Sequence, residues 1–341
     1  MIKKTLYFGS PAYLSCKNEQ LIVDFKEEQL ELSFFMTDED NEWIERYKSH
    51  TPSPSGDSPR RVESSTLSRG RHNIPIEDIG VIIIDHWGIS LSHFLLSSLL
   101  ENNTAVIVCS KAHLPSGLLL NLDSNTLQGE KFKCQIEASE PLKKQLWQQT
   151  VQAKIKNQAG LLIIKGIKAD NMLKWAKDVK SGDPDNLEAR AANYYWKTIF
   201  PENIDFYRSR TGPSPNALLN YGYAILRAIT ARSLAGSGLL PTLGIHHHNK
   251  YNAYALADDV MEPFRPFVDK IVCEITSDGK ENEELTPQIK KRLLEISTRD
   301  ITIDGEKSPL MVGMQRTTAS LTKCYEGNQR KILYPEFNQH T

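Results

Sequence analysis

The spacing of apolar residues changes once along this chain, near Pro115, and that change limits the folds open to it. Before it, apolar residues come in short runs broken by Gly, Asn and Asp: "KTLYFG", "AYLSCKNEQLIVDF", "IGVIIID" and "NNTAVIVCS". Runs of this length bounded by turn formers read as strands. After it, "EPLKKQLWQQTVQAKIKNQAGLLIIKG" repeats apolar positions every three or four residues with Lys and Gln between them, the pattern of a helix with one buried face. Further helices are predicted in "NMLKWAKDVKS", "NLEARAANYYWKTIF", "PNALLNYGYAILRAITARSLAGS", "ADDVMEPFRPFVDKIVCEI" and "TPQIKKRLLEIS", each opened by Asp, Asn, Ser, Thr or Pro. The expected fold class is therefore α+β. An N-terminal β-sheet domain, β-sandwich-like, spans residues 1–115, and a mainly α-helical domain spans 116–341.

With 341 residues, 40% hydrophobic and 24% charged, the chain can bury two cores. One stretch has almost nothing to bury: "KSHTPSPSGDSPRRVESSTLSRGRH", residues 48–72, is rich in Ser, Pro and Arg and reads as a mobile insertion between strands. Cys16, Cys109, Cys134, Cys273 and Cys324 form no CxxC pair, so they read as buried thiols of a cytoplasmic protein rather than a disulfide framework or a zinc site. Apolar runs fall short of the roughly 20 residues that span a bilayer, and no membrane role is expected. No Walker A loop or GxGxxG fingerprint is present. The formal net charge of −1 argues against a general nucleic-acid coat, yet between Phe206 and Pro266 six basic residues face three acidic ones. Any polyanion binding is local.

The stretch "GIHHHNKYNAYALADDVMEPFRP", Gly244 to Pro266, sets three consecutive histidines ahead of two aspartates and a glutamate. Adjacent side chains in a loop project differently, so one of His246, His247 and His248 is the candidate ligand rather than all three. Asp259 and Glu262 stand three apart and thus on one helix face, a spacing that lets two carboxylates reach one cation; Asp258 points elsewhere. Glu188 opens a helix of small and aromatic residues in "GDPDNLEARAANYYW". The same acids would also suit a solvated helix face or a favourable first-turn charge. Guanidinium and ammonium groups bind phosphate oxygens, which makes Arg190, Arg232, Lys250 and Arg265 candidates for phosphate contact. Asn220 and Tyr221 could orient DNA or hydrogen-bond across the core, and Tyr194, Tyr195 and Trp196 read as packing first.

Four motifs in order, "LYFGSPAYLS", "GDPDNLEARAANYYW", "PNALLNYGYAILRA" and "LGIHHHNKYNAYALADDVMEPFRP", closely resemble the CRISPR-associated integrase of the adaptation complex, in the form found in type II systems. The likeness covers nearly the whole chain, with residues 48–72 standing out as an addition. It implies a metal site of Glu188, His247 and Glu262, with Asp259 as a fourth ligand or a group just behind them. Mn²⁺ or Mg²⁺ is the implied cofactor, and the same trio is catalytic. His246 and His248 would then meet the DNA backbone or shape the loop. The implied reaction inserts a short foreign DNA into a CRISPR array by attack of its 3′ hydroxyl on a phosphodiester at the repeat edge. The implied partners are double-stranded DNA (protospacer and repeat), a second copy of the chain through the β domain, a small ferredoxin-like adaptation protein forming a heterohexamer, and the type II effector nuclease. Two other readings share these residues: a stand-alone metal-dependent nuclease on branched DNA in repair, and a catalytically silent DNA-binding scaffold.

Overall fold

The computed structural model describes residues 3–25, 71–200, 206–209, 212, 214–277 and 285–337. The chain divides into two compact units, Lys3–Gly117 and Leu118–Thr341. Most of the predicted insertion, up to residue 70, lies outside the described residues. Its last two residues are not loop, because Arg71 and His72 open a strand and pair with Asp24 and Val23; the His72 ring meets Phe25 edge-on at 6.1 Å.

The first unit is built on two four-stranded sheets. One has the order β1 (Lys4–Phe8), β5 (Ile79–Ile84), β7 (Ala105–Cys109), β8 (Pro115–Leu119), and β5 runs parallel to both β1 and β7. Every residue of β5 is buried, which explains why "IGVIII" is a continuous apolar run rather than an alternating one. The other sheet has the order β4 (Arg71–Pro75), β3 (Gln20–Phe25), β2 (Ala12–Lys17), β6 (Ser90–Leu91). Asn18 and Glu19, at φ 50° and 59°, form the two-residue turn joining β2 to β3. Leu6, Phe8, Ile82, Ile84 and Val106 of the first sheet form one core with Leu14, Leu21 and Val23 of the second. Leu95 and Leu99 of helix α1 (His93–Glu101) join it. The β-sandwich-like expectation thus holds, with the refinement that both sheets contain parallel pairs, β1–β5–β7 in the first and β2–β6 in the second.

The second unit is helical: α2 (Gln128–Ile136), α3 (Glu140–Ile164), α4 (Asp170–Asp178), α5 (Leu187–Thr198), α6 (Asn216–Gly236), α7 (Ala255–Met261), α8 (Arg265–Ser277), α9 (Pro287–Leu294) and α10 (Leu310–Tyr325). A hairpin of β9 (Asp300–Ile303) and β10 (Glu306–Pro309) precedes α10. Helix α6 is buried along most of its length and packs against α7, α8 and α10. The single helix expected through "ADDVMEPFRPFVDKIVCEI" is divided. Pro263 has no N–H to continue the ladder, so α7 ends at Met261, a 3₁₀ turn takes Glu262–Phe264, and α8 starts at Arg265. That break is what presents Glu262.

Candidate metal centre

Four segments contribute the candidate site. Glu188 lies in the first turn of α5, whose cap is supplied from outside the helix: Asp183 Oδ1 accepts the Leu187 N–H at 2.9 Å and its Oδ2 accepts the Glu188 N–H at 3.0 Å. Glu262 stands on the 3₁₀ turn after α7. His247 is on the loop before α7, and that loop is folded around Asp259. The Asp259 Oδ2 accepts the backbone N–H groups of Ile245 (2.7 Å), His246 (2.9 Å) and His247 (3.4 Å), while its Oδ1 meets His247 Nδ1. Gly244 permits this fold, because a Cβ there would collide with the His247 carbonyl oxygen and come within 3.0 Å of Asp259 Oδ2.

The fourth segment is α3. Trp147 and Lys154 lie seven residues apart on its buried face. The Trp147 ring stacks on His246 (4.3 Å between centroids, 4° between planes) and meets His247 edge-on at 5.6 Å. Two turns further along, the Lys154 ammonium lies 2.6 Å from Glu188 Oε1 and 2.6 Å from Glu262 Oε2. On the far side of Glu262, Arg265 binds its Oε1 at 2.9 Å and lies over the Tyr223 ring at 4.6 Å. Two acids from separate elements therefore converge on one cationic point.

Electrostatics follow this placement. Burial works to raise the Glu262 pKa, but Arg265 and Lys154 hold it below the ordinary carboxylate value. Burial opposes the Lys154 charge and Glu262 and Glu188 outweigh it, keeping its pKa above normal. The Asp259 hydrogen bond raises His247, whereas burial beside Trp147 lowers His246. Behind the site, Asp269 accepts the hydroxyls of Tyr195 (2.7 Å) and Tyr223 (2.5 Å).

Burial pushes the Asp269 carboxyl up to about 6 against the lowering pull of those two hydroxyls. A folded-state value above the ordinary one means stability that is full below about pH 4 and lost as pH rises through 6. Asp269→Asn should remove that dependence. Urea unfolding of the variant at pH 4.5 and pH 7 should differ by about 2 kcal/mol less than for the natural chain.

The donor set suits a hard divalent cation. It offers two carboxylates drawn to one point and an imidazole whose Nδ1 is committed to Asp259, so that Nε2 is the nitrogen it could offer a cation. Glu262 Oε2 is buried and accepts no well-angled hydrogen bond although the ammonium is 2.6 Å away, so it has capacity for a metal. Among the described residues, no three His, Cys, Asp or Glu side chains stand close enough to ligate one ion as placed, and the Lys154 ammonium fills the point where the carboxylates meet.

Comparison with known proteins settles the lineage. A family model described as CRISPR associated protein Cas1 matches residues 60–304. The CRISPR-associated endonuclease Cas1 of Neisseria meningitidis serogroup C (strain 8013) is 36% identical over 268 residues, 78% of this chain and 87% of that protein. The chain belongs to the Cas1 family. Solved structures share its fold. A casposase bound to integration product matches with a TM-score of 0.71 at 19% identity, covering 99% of this chain and 93% of that one. A Cas6-RT-Cas1–Cas2 complex matches with a TM-score of 0.66 at 19% identity, over 97% of this chain and 36% of the longer one.

In this Cas1 chain the remaining predicted residues divide clearly. Both oxygens of Asp259 are taken by the histidine loop, where it orients His247. Asp258 pairs with Arg227 at 2.6 and 3.1 Å. Tyr221 and Arg232 are buried, at 0% and 1% exposure, and are core residues rather than DNA contacts; burial pushes the Arg232 pKa down to about 10. Arg265 is committed to Glu262, and Asn220 accepts a bond from Arg208 at 2.7 Å. His246 is held by its stack on Trp147. Arg190, His248 and Lys250 are exposed, with Arg190 near the Trp175 ring (5.9 Å) and Lys250 near Tyr251 (4.9 Å). Tyr195 is fully buried, as packing requires.

The residue that sequence reasoning missed is Lys154. Its signal was present: in "LWQQTVQAKIKNQAGLL" a lysine falls three, four and seven residues from Val151, Thr150 and Trp147, on the face that buries all three. A charge in a core register requires a partner.

Proposed function

We propose that Glu188, His247 and Glu262 bind one divalent cation, Mg²⁺ or Mn²⁺, and that this site joins the 3′ end of a short foreign DNA to a phosphodiester at the repeat edge of a CRISPR array. The class of enzyme, a CRISPR-associated endonuclease and integrase with a general need for a divalent metal, comes with Cas1 membership. The observation that carries the assignment to these residues is the convergence of Glu188 and Glu262 on one cation beside a histidine oriented by Asp259.

A divalent cation supplies the charge that polarises a phosphoryl oxygen and offsets the developing charge on the leaving oxygen. This chain's residues do the rest. Glu188 and Glu262 offer the oxygens, His247 offers Nε2, and Asp259 fixes which ring nitrogen carries the proton. Arg190, His248 and Lys250 remain exposed for phosphate contact. In the joining reaction the incoming 3′ oxygen forms a P–O bond and gives up its proton as the target's 3′ oxygen leaves and takes one. One phosphodiester is made for one broken, so the exchange consumes no nucleotide.

The working assembly in this proposal is a dimer of the chain, through the first unit, combined with a small ferredoxin-like partner. The shared fold with a Cas6-RT-Cas1–Cas2 complex supports a partner of that kind, and the shared fold with a casposase bound to integration product supports DNA-end joining. The test is incubation of the purified chain and its partner with short duplex DNA and a repeat-bearing plasmid. Covalent joining at the repeat should require Mg²⁺ or Mn²⁺ and stop in EDTA. Metal-dependent cutting of branched DNA with no joining at the repeat would favour a stand-alone nuclease instead.

A further inference from the structure

We infer that Lys154 is the site's built-in counter-ion, holding the metal's place between Glu188 and Glu262 until a divalent cation displaces it. This rests on the metal-site reading above and goes beyond it, because it assigns a role to a residue outside the ligand set. The Lys154 ammonium is 2.6 Å from an oxygen of each acid, with its side chain 12% exposed, and the two acids come from separate elements, α5 and the 3₁₀ turn after α7. Without a cation between them, two largely buried carboxylates would repel each other. Lys154 thus keeps the site assembled before metal arrives.

The geometry makes the lysine and the metal exclusive. Glu262 Oε1 is held by Arg265, whose guanidinium lies over Tyr223. Glu262 Oε2 is the oxygen facing Lys154. A metal bridging Glu188 and Glu262 would occupy the ammonium's own position, and like charges at that separation cannot share it. Lysine suits a group that must leave, since its charge is a single point on a flexible stem, whereas an arginine fork would hold its carboxylates more firmly.

The test uses the full chain stripped of metal, with Mn²⁺ as the probe. Mn²⁺ affinity is measured by paramagnetic resonance titration, and melting is followed in EDTA and in saturating Mn²⁺. Lys154→Met should bind Mn²⁺ at least about tenfold more tightly than the natural chain. It should melt lower in EDTA and gain more from Mn²⁺. Lys154→Arg should bind Mn²⁺ at least about tenfold more weakly. Affinity in Lys154→Met equal to or weaker than that of the natural chain would overturn the inference. If that variant does not fold, Arg decides, and unchanged or tighter binding in Lys154→Arg overturns it. The Glu188→Gln control separates the two readings: Mn²⁺ binding that is the same with and without Glu188 removes the metal site itself, while binding that depends on Glu188 and ignores Lys154 removes only the counter-ion.

Discussion

Glu188→Gln, His247→Ala and Glu262→Gln should each lower DNA joining by at least about 10³-fold, because each removes a ligand to a charge that contributes several kcal/mol to the transition state. The form of the substitution matters. Glu262 is 6% exposed and holds Lys154 and Arg265. Glu262→Ala would take the paired carboxylate from Arg265 and leave Lys154 with Glu188 alone, at a cost of about 3–5 kcal/mol, and lost activity would then be confounded with lost fold. Glutamine keeps the volume and an acceptor oxygen though not the charge, so it should melt below the natural chain by less than alanine does, with an unchanged circular dichroism spectrum. Asp259→Asn, acting through His247, should cost about 10–100-fold. His246→Ala and His248→Ala should cost less than any ligand. Joining activity that survives His247→Ala and disappears in His246→Ala would place the ligand one residue earlier.

How far the chain could be read in advance depended on how local each signal was. The strands and long helices were legible because their apolar periods are local, and so was the capped start of α5 that presents Glu188. The choice among three adjacent histidines was not legible from spacing. It depends on which one a buried aspartate can reach after Gly244 lets the loop turn back on itself, a contact spanning twelve residues. Spacing put Asp259 and Glu262 on one face, but Pro263 tightens the chain into a 3₁₀ turn just where Glu262 sits, and the two acids take different partners. Helix α10 has no such clear local signal, since its "TTASLT" stretch is rich in Thr and Ser. Its Thr and Ser hydroxyls are accommodated by nearby carbonyls, as when Thr317 donates to Leu333 O at 2.6 Å and Thr318 to Ser233 O at 3.2 Å. The hairpin before it did carry a local signal, the Asp304–Gly305 pair at φ 53° and 77°. Arg232 reads as a phosphate contact, and Tyr221 as either a DNA contact or a core residue, because residue type says nothing about depth; α6 buries both.

The second large effect concerns the attacking group. Transesterification needs a hydroxyl on the incoming DNA, whereas hydrolysis needs only water, and in this account one site serves both. Removing the 3′ hydroxyls of the short duplex should therefore abolish joining, with no product above background. Nicking or disintegration of a branched substrate, where the nucleophile is water or a hydroxyl already in the target, should continue at its normal rate because Glu188, His247 and Glu262 are untouched. The metal requirement should be the same for both reactions. The decisive measurement is joining of hydroxyl-ended and dideoxy-ended duplexes to a repeat-bearing plasmid, run beside branched-DNA cleavage, with the natural chain and with Glu188→Gln, His247→Ala and Glu262→Gln. Dideoxy ends should stop joining alone, and each of the three variants should stop both reactions. Covalent joining of dideoxy ends, or a variant that loses one reaction and keeps the other, would contradict a single shared site.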